Sequence, residues 1–163
     1  MLKYKTTSSI FDDNESLRTA FEEFYRIVIS HENGMGLLTD IQKNPIVAFI
    51  YFTDVRRGGH FSFMDINRKM IEINKVKDAL IALDVNDKYI KNLNLIPDDF
   101  MFPDEWPVDD EQFEILYNQI SDLLEPLNEI IYDNSAYNEF VSKTLAYVSK
   151  NYSEFFIIEQ SAL

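Results

Sequence analysis

The sequence predicts an all-α fold, one compact multi-helix domain over residues 1–163, on three observations. Apolar residues recur at three- and four-residue steps along most of the chain. No stretch sustains strand-like alternation, and no hairpin signal or internal repeat is present. Nearly half of the residues are apolar, with four glycines and five prolines, a composition that builds a core rather than a disordered chain.

The elements follow in order. Asp13 or Asn14 caps a helix running to about Glu32, with Leu17, Phe21, Phe24 and Val28 on its apolar face. "NGMG" at Asn33–Gly36 breaks it. Pro45 is placed to open the next helix at its first position. The window "IVAFIYFTDV" reads alone as a buried strand or a buried helix; its length and its helical neighbours select helix. "RRGGH" at Arg56–His60 supplies a turn, "FSFMDINRKMIEINKVKDALIALD" one or two helices, and "DKYIKNLNL" another short one. An ordered, acidic, proline-rich loop follows, "IPDDFMFPDEWPVDDEQFEIL" from Ile96 to Leu116. Val108–Ile131 is then strongly amphipathic, with Phe113, Leu116, Ile120, Leu123, Leu127, Ile130 and Ile131 as its stripe. Pro126 kinks or restarts that helix, and Ser135 is placed to cap a final one, "AYNEFVSKTLAYVSKNYSEFF".

The net charge of −13 is distributed very unevenly. Outside Asp98–Glu139 fifteen acids meet fifteen bases; inside it lie thirteen acids and no base. A surface that needs only solubility usually mixes its signs, and like charges four residues apart cost a helix roughly 0.2–0.5 kcal/mol each. Glu114, Asp122, Glu125, Glu129 and Asp133 fall opposite the apolar stripe, and Asp98–Glu111 extends that row through the loop. Such steps put Cβ atoms about 5–6 Å apart, against a rise of about 3.4 Å per nucleotide for phosphates along a DNA strand. Phosphates lie farther apart through space as they wind round the axis, so a row of carboxylates at such steps can resemble a phosphate row in spacing and sign. The expected partner-binding residues are Asp98, Asp99, Asp104, Glu105, Asp109, Asp110, Glu111, Glu114, Asp122, Glu125, Glu129 and Asp133. Trp106, between Glu105 and Pro107, either pins the acidic loop to the body or makes an apolar contact in an interface.

Several functions are disfavoured. The acidity argues against nucleic acid or an anionic membrane as partner, and the aromatics without a basic groove read as core rather than as base-stacking platforms. There is no cysteine, hence no disulfide and no thiolate metal site. No phosphate-binding glycine motif and no EF-hand loop occurs, so neither a cofactor nor a metal is expected. The two histidines lie apart; His60, with Asp54 and Asp65 nearby in sequence, reads as a residue that caps the turn or the following helix rather than as a base. "MLKYKTTSSI" lacks a secretory h-region, and "PIVAFIYF" is far short of a bilayer span, so a cytoplasmic protein is expected.

"DVRRGGHFSFM" at Asp54–Met64 and "LNEIIYDNSAYNEFVSKTLAYVSKNYSEFF" at Leu127–Phe156 resemble elements of a family of small all-helical bacterial proteins that includes a DNA-mimic protein. The second matches its closing pattern through Leu127, Asn128, Ile131, Tyr132, Tyr147, Val148, Asn151 and Phe155 or Phe156, and the likeness covers roughly residues 24–156. Asn128 stands where the pattern has an acid, and "FSFMDI" lacks the polar residues that follow the glycine pair there. The resemblance implies an all-α homodimer, without catalytic residues, whose acidic surface occupies the DNA-binding face of a transcription factor. The expected function is thus a non-enzymatic DNA mimic that blocks a basic DNA-binding protein such as a helix-turn-helix regulator. The alternative is an immunity-type inhibitor of a basic toxin such as a nuclease.

Overall fold

The computed structural model describes residues 1–67, 71–97 and 100–159. Helix α1 (Asn14–Ser30) starts where the Asp13 side chain accepts from the Ser16 N–H at 2.7 Å, and it turns Leu17, Phe21, Phe24 and Val28 inward. It stops at His31. The chain doubles back so tightly through Gly34 that a Cβ there would sit 1.9 Å from the Val28 carbonyl oxygen. A 3₁₀ turn, Met35–Leu37, leads to the next helix.

Helix α2 (Asp40–Asn67) is the axis of the molecule. It opens well before Pro45, contrary to the sequence expectation, because Thr39 and Gln42 form a capping box: the Thr39 N–H donates to Gln42 Oε1 at 2.9 Å and the Gln42 N–H to Thr39 Oγ1 at 3.3 Å. Two satisfied donors fix the start, and the proline in the second turn costs one intrahelical bond instead. Gln42 is fully buried, and its Nε2 also donates to the Leu2 and Glu154 carbonyls, both at 2.6 Å. One amide thereby joins the two ends of the chain to the core. Ile46, Val47, Ala48, Ile50, Tyr51, Phe52 and Val55 are all buried, so the central turns are covered on every side.

"RRGGH", expected as a turn, bends α2 in a kink at a single residue. The backbone is non-helical at Gly59 alone, with φ 76° and ψ 175°. That is a left-handed φ that glycine adopts without strain. Residue 59 must also be small, since a Cβ would lie 2.8 Å from the Asn128 side-chain nitrogen.

Helices α3 (Ile73–Ala82) and α4 (Asp87–Leu93) contribute Val76, Ala79, Leu80, Tyr89 and Leu93 to the same core. After the loop, α5 (Asp110–Leu124) buries Ile120 and Leu124. Pro126 ends it in a 3₁₀ turn, Glu125–Leu127, and a four-residue α6 (Glu129–Tyr132) restarts the path, as the proline predicts. Helix α7 (Asn134–Lys150) is capped by Asp133, which accepts from the Ser135 N–H at 2.8 Å. Ser135, the expected cap, is the donor, since a carboxylate two residues earlier is the better acceptor. Phe140 of α7 stacks on Phe52 of α2 with centroids 4.2 Å apart.

After α8 (Tyr152–Phe155), two strands unannounced by the sequence appear: β1 (Tyr4–Thr7) and β2 (Phe156–Glu159), paired in parallel with Tyr4 opposite Phe156. At four residues each they are too short for a periodicity to register. Among the described residues no helix is long and apolar enough to cross a membrane.

Gly59→Ala is expected to lower the unfolding free energy by about 2–4 kcal/mol, combining a strained φ with a clash against Asn128. Urea unfolding measures it, and a loss under ~1 kcal/mol would contradict the kink.

Candidate functional site

The acidic loop is held by its apolar residues. Ile96 and Phe102 are buried, and Trp106 is half-buried. The indole lies nearly parallel to Phe61, with centroids 5.9 Å apart, and meets Phe102 edge-on at 5.6 Å and Phe113 at 5.3 Å. Phe61 comes two residues after the kink, so the bend at Gly59 lies beside the segment that receives the indole. Trp106 therefore pins the loop to α2 and α5.

The carboxylates point outward. Asp104, Glu105, Asp109, Asp110, Glu111, Glu114, Asp122, Glu125, Glu129 and Asp133 are all exposed; Asp98 and Asp99 lie outside the described residues. At 3.6 residues per turn, Asp110, Glu111, Glu114 and Asp122 share about a third of the circumference of α5, with the buried Ile120 and Leu124 outside that arc. The turn at Pro126 interrupts the row there, so Glu129 and Asp133 do not continue the α5 face in helical register.

Local chemistry separates these acids. Asp109 caps α5, accepting from the Gln112 N–H at 3.0 Å, and Asp110 and Glu111 occupy the first turn, where the helix dipole favours them. Glu125 accepts from the Ser121 hydroxyl at 3.0 Å. Asp133 accepts from both the N–H and the hydroxyl of Ser135, and these bonds hold its carboxyl below the usual range, with Lys88 adding to the effect. Glu105, Glu114, Asp122 and Glu129 carry neither a hydrogen bond nor an ion pair among the described residues.

Folding also changes the charge pattern that the sequence displays. Arg56 reaches the Asp133 end, where its Nη2 donates to Asn134 Oδ1 at 3.3 Å and its guanidinium lies 5.0 Å from the Tyr137 ring centroid. Lys88 approaches from α4. The start of α7 thus borrows cations from distant segments. None of the carboxylates of α5 has a cationic partner among the described residues.

Aromatic exposure on α5 is the feature that sequence reasoning missed. Phe113 was assigned to the buried stripe, yet Phe113 and Tyr117 are each 40% exposed, with rings stacked at 5.9 Å. Leu124, absent from the expected stripe, is fully buried.

His60 is not a cap. Its ring is wholly buried, with Nε2 2.8 Å from Tyr51 Oη and Nδ1 2.7 Å from Asn128 Oδ1. The His60 backbone N–H also donates to Asn128 Oδ1, at 2.8 Å, which identifies that atom as the amide oxygen. Nδ1 must then carry the proton, and Nε2 accepts from the tyrosine. Both nitrogens are engaged, so no lone pair is left to act as a base. His31 sits at the exposed end of α1, accepting from the Asn33 N–H at 3.3 Å. Among the described residues no three His, Asp or Glu side chains converge to hold a metal ion. No protein-family model, curated protein sequence or solved structure matches the chain.

Burial pulls the His60 pKa down from 6.5 to about 4, against the opposing effect of the Asn128 bond. The unfolded chain therefore binds the proton first as pH falls, and stability drains between those two values, by about 3 kcal/mol in full. The stability advantage of wild type over His60→Gln at pH 7 is expected to shrink by about that amount at pH 4 in urea titrations. A constant difference would mean a solvated imidazole.

Proposed function

We propose that this protein is a non-enzymatic DNA mimic, which occupies the basic face of a DNA-binding protein and keeps DNA from it. The observation that carries this reading is the placement of the charge. The segment holding the entire net charge turns every described acid from Asp104 to Asp133 toward solvent, and α5 keeps its carboxylates unpaired among the described residues. Proteins usually relieve such a field with interspersed lysines; along α5 no cation among the described residues does so. At 1.5 Å per residue the α5 carboxylates, from Asp110 to Asp122, span about 18 Å, comparable to about five nucleotide rises. A loop pinned by three buried or half-buried side chains extends it. The homodimer that the family resemblance implies would double that length.

The partner that fits is a protein whose own ligand is a phosphate row, such as a helix-turn-helix regulator. Attraction between exposed charges is screened beyond roughly 8 Å at physiological ionic strength, so complex formation should weaken steeply with salt.

The test begins with capture at low salt from the native cell and continues with displacement of the captured protein from its DNA. Wild type is expected to release the DNA, increasingly so as salt falls. Glu114→Lys with Asp122→Lys is the informative variant. Neither side chain bonds to the body, whereas reversal at Asp109 would uncap α5. The double reversal is expected to lose at least about tenfold in competition, with helicity unchanged. Equal competition by the variant, or captured proteins that bind no DNA, would overturn the reading.

A further inference from the structure

The first half of α5 is an amphipathic helix whose aromatic side the described chain covers only in part. Phe113 and Tyr117, one turn apart, stack on each other at 5.9 Å and remain open to solvent. Trp106 backs Phe113 at 5.3 Å, and Phe61 backs Tyr117 at 4.9 Å, so both rings are held from behind. Exposed aromatic surface of this kind marks an interaction site. Helical spacing sets a second row beside it. Asp110 lies three residues before Phe113, Glu114 three before Tyr117, and such pairs are neighbours about 5–6 Å apart at Cβ. Each ring therefore has one carboxylate a turn toward the helix N-terminus, and neither carboxylate has a cation among the described residues.

We infer that this face recognises arginine in particular, on the surface of a basic protein partner. A guanidinium is planar and weakly hydrated, so it stacks on an aromatic ring while its N–H fork reaches a carboxylate at the edge. An ammonium is a strongly hydrated point charge; it gains the Coulomb attraction and little from the ring. A purely apolar occupant would bury Asp110 and Glu114 unpaired, which is costly. A second copy seated on the same face would bring like charges together. Charge complementarity together with the ring faces leaves an arginine-bearing surface as the occupant. This inference rests on the proposed reading insofar as the partner is basic, and it adds that rows of lysine would not replace the arginines.

Trp106, the only tryptophan, reports on the site from within. The full chain is titrated with a short all-arginine peptide and an all-lysine peptide of equal length, by calorimetry and by Trp106 emission. The arginine peptide is expected to bind about tenfold tighter and to change the emission. In Phe113→Leu plus Tyr117→Leu, which keeps apolar bulk and removes the rings, arginine affinity should fall to the lysine level while lysine affinity stays unchanged. Equal affinities for the two peptides in wild type, or an equal loss of both in the variant, would overturn the inference. So would sedimentation showing a wild-type dimer that the leucine variant dissociates, since the occupant would then be a second copy. Arginine preference with no displacement of DNA would sink the mimic reading and leave this one standing. Displacement without arginine preference would do the reverse.

Discussion

The Asn128 side-chain oxygen accepts both the backbone N–H and the ring N–H of His60, at 2.8 and 2.7 Å, in the buried angle of the α2 kink. The carboxamide lies where Gly59 has no Cβ, and Tyr51, nine residues before His60 in α2, closes the other side of the imidazole. A hydrogen bond to a buried partner contributes about 1 kcal/mol net, but leaving any of these groups unpaired costs more. The network therefore acts mainly as a specification: α2 must bend there, and the turn after α5 must dock there. The acidic segment has a second anchor in the Asn92 amide, which donates to the Leu127 carbonyl at 2.8 Å. A third is Glu139, which accepts from the Asn86 N–H at 2.9 Å. Everything the segment presents to solvent is positioned from these points.

The bend has a consequence for the surface. Past Gly59, Phe61 faces the loop and clusters with the Trp106 indole and the Tyr117 ring, which also approach each other. The carboxylates in that loop repel one another and would, on their own, favour an expanded chain. Burial of Ile96 and Phe102 opposes this, since fully burying a large apolar side chain stabilises by about 1.5–3 kcal/mol. Repulsion among exposed charges is smaller per pair and screened by salt. The loop can thus carry its charge without being opened by it.

How much was legible in the sequence depends on range. The α1 face could be read because four apolar residues at helical steps leave one orientation, and Asp13 three residues before Ser16 announces its cap. The α2 start was misread because Pro45 is a louder signal than the Thr39–Gln42 box, although the box makes more bonds. "RRGGH" reads as a turn because two glycines usually make one. The residue that turns it into a kink, Asn128, is distant in sequence. The same holds at the site. Exposure of the acids followed from their spacing, but the approach of Arg56 and Lys88 to Asp133 joins segments that only the tertiary fold brings together.

Negative charge alone does not separate a device from a by-product of solubility, but what each carboxylate is bonded to does. Asp109 and Asp133 complete helix N-termini, and their conversion to lysine would act first through the folded state. Glu114 and Asp122 complete nothing inside the chain. A helix gains nothing from two unpaired acids in its middle and last turn; near the C-terminus the dipole makes Asp122 mildly unfavourable. The same helix leaves Phe113 and Tyr117 each 40% exposed, at a further cost in exposed apolar area. Two separate departures from the most stable choice, one electrostatic and one hydrophobic, fall on adjacent rows of one helix. A single occupant offering cations on planar groups would offset both.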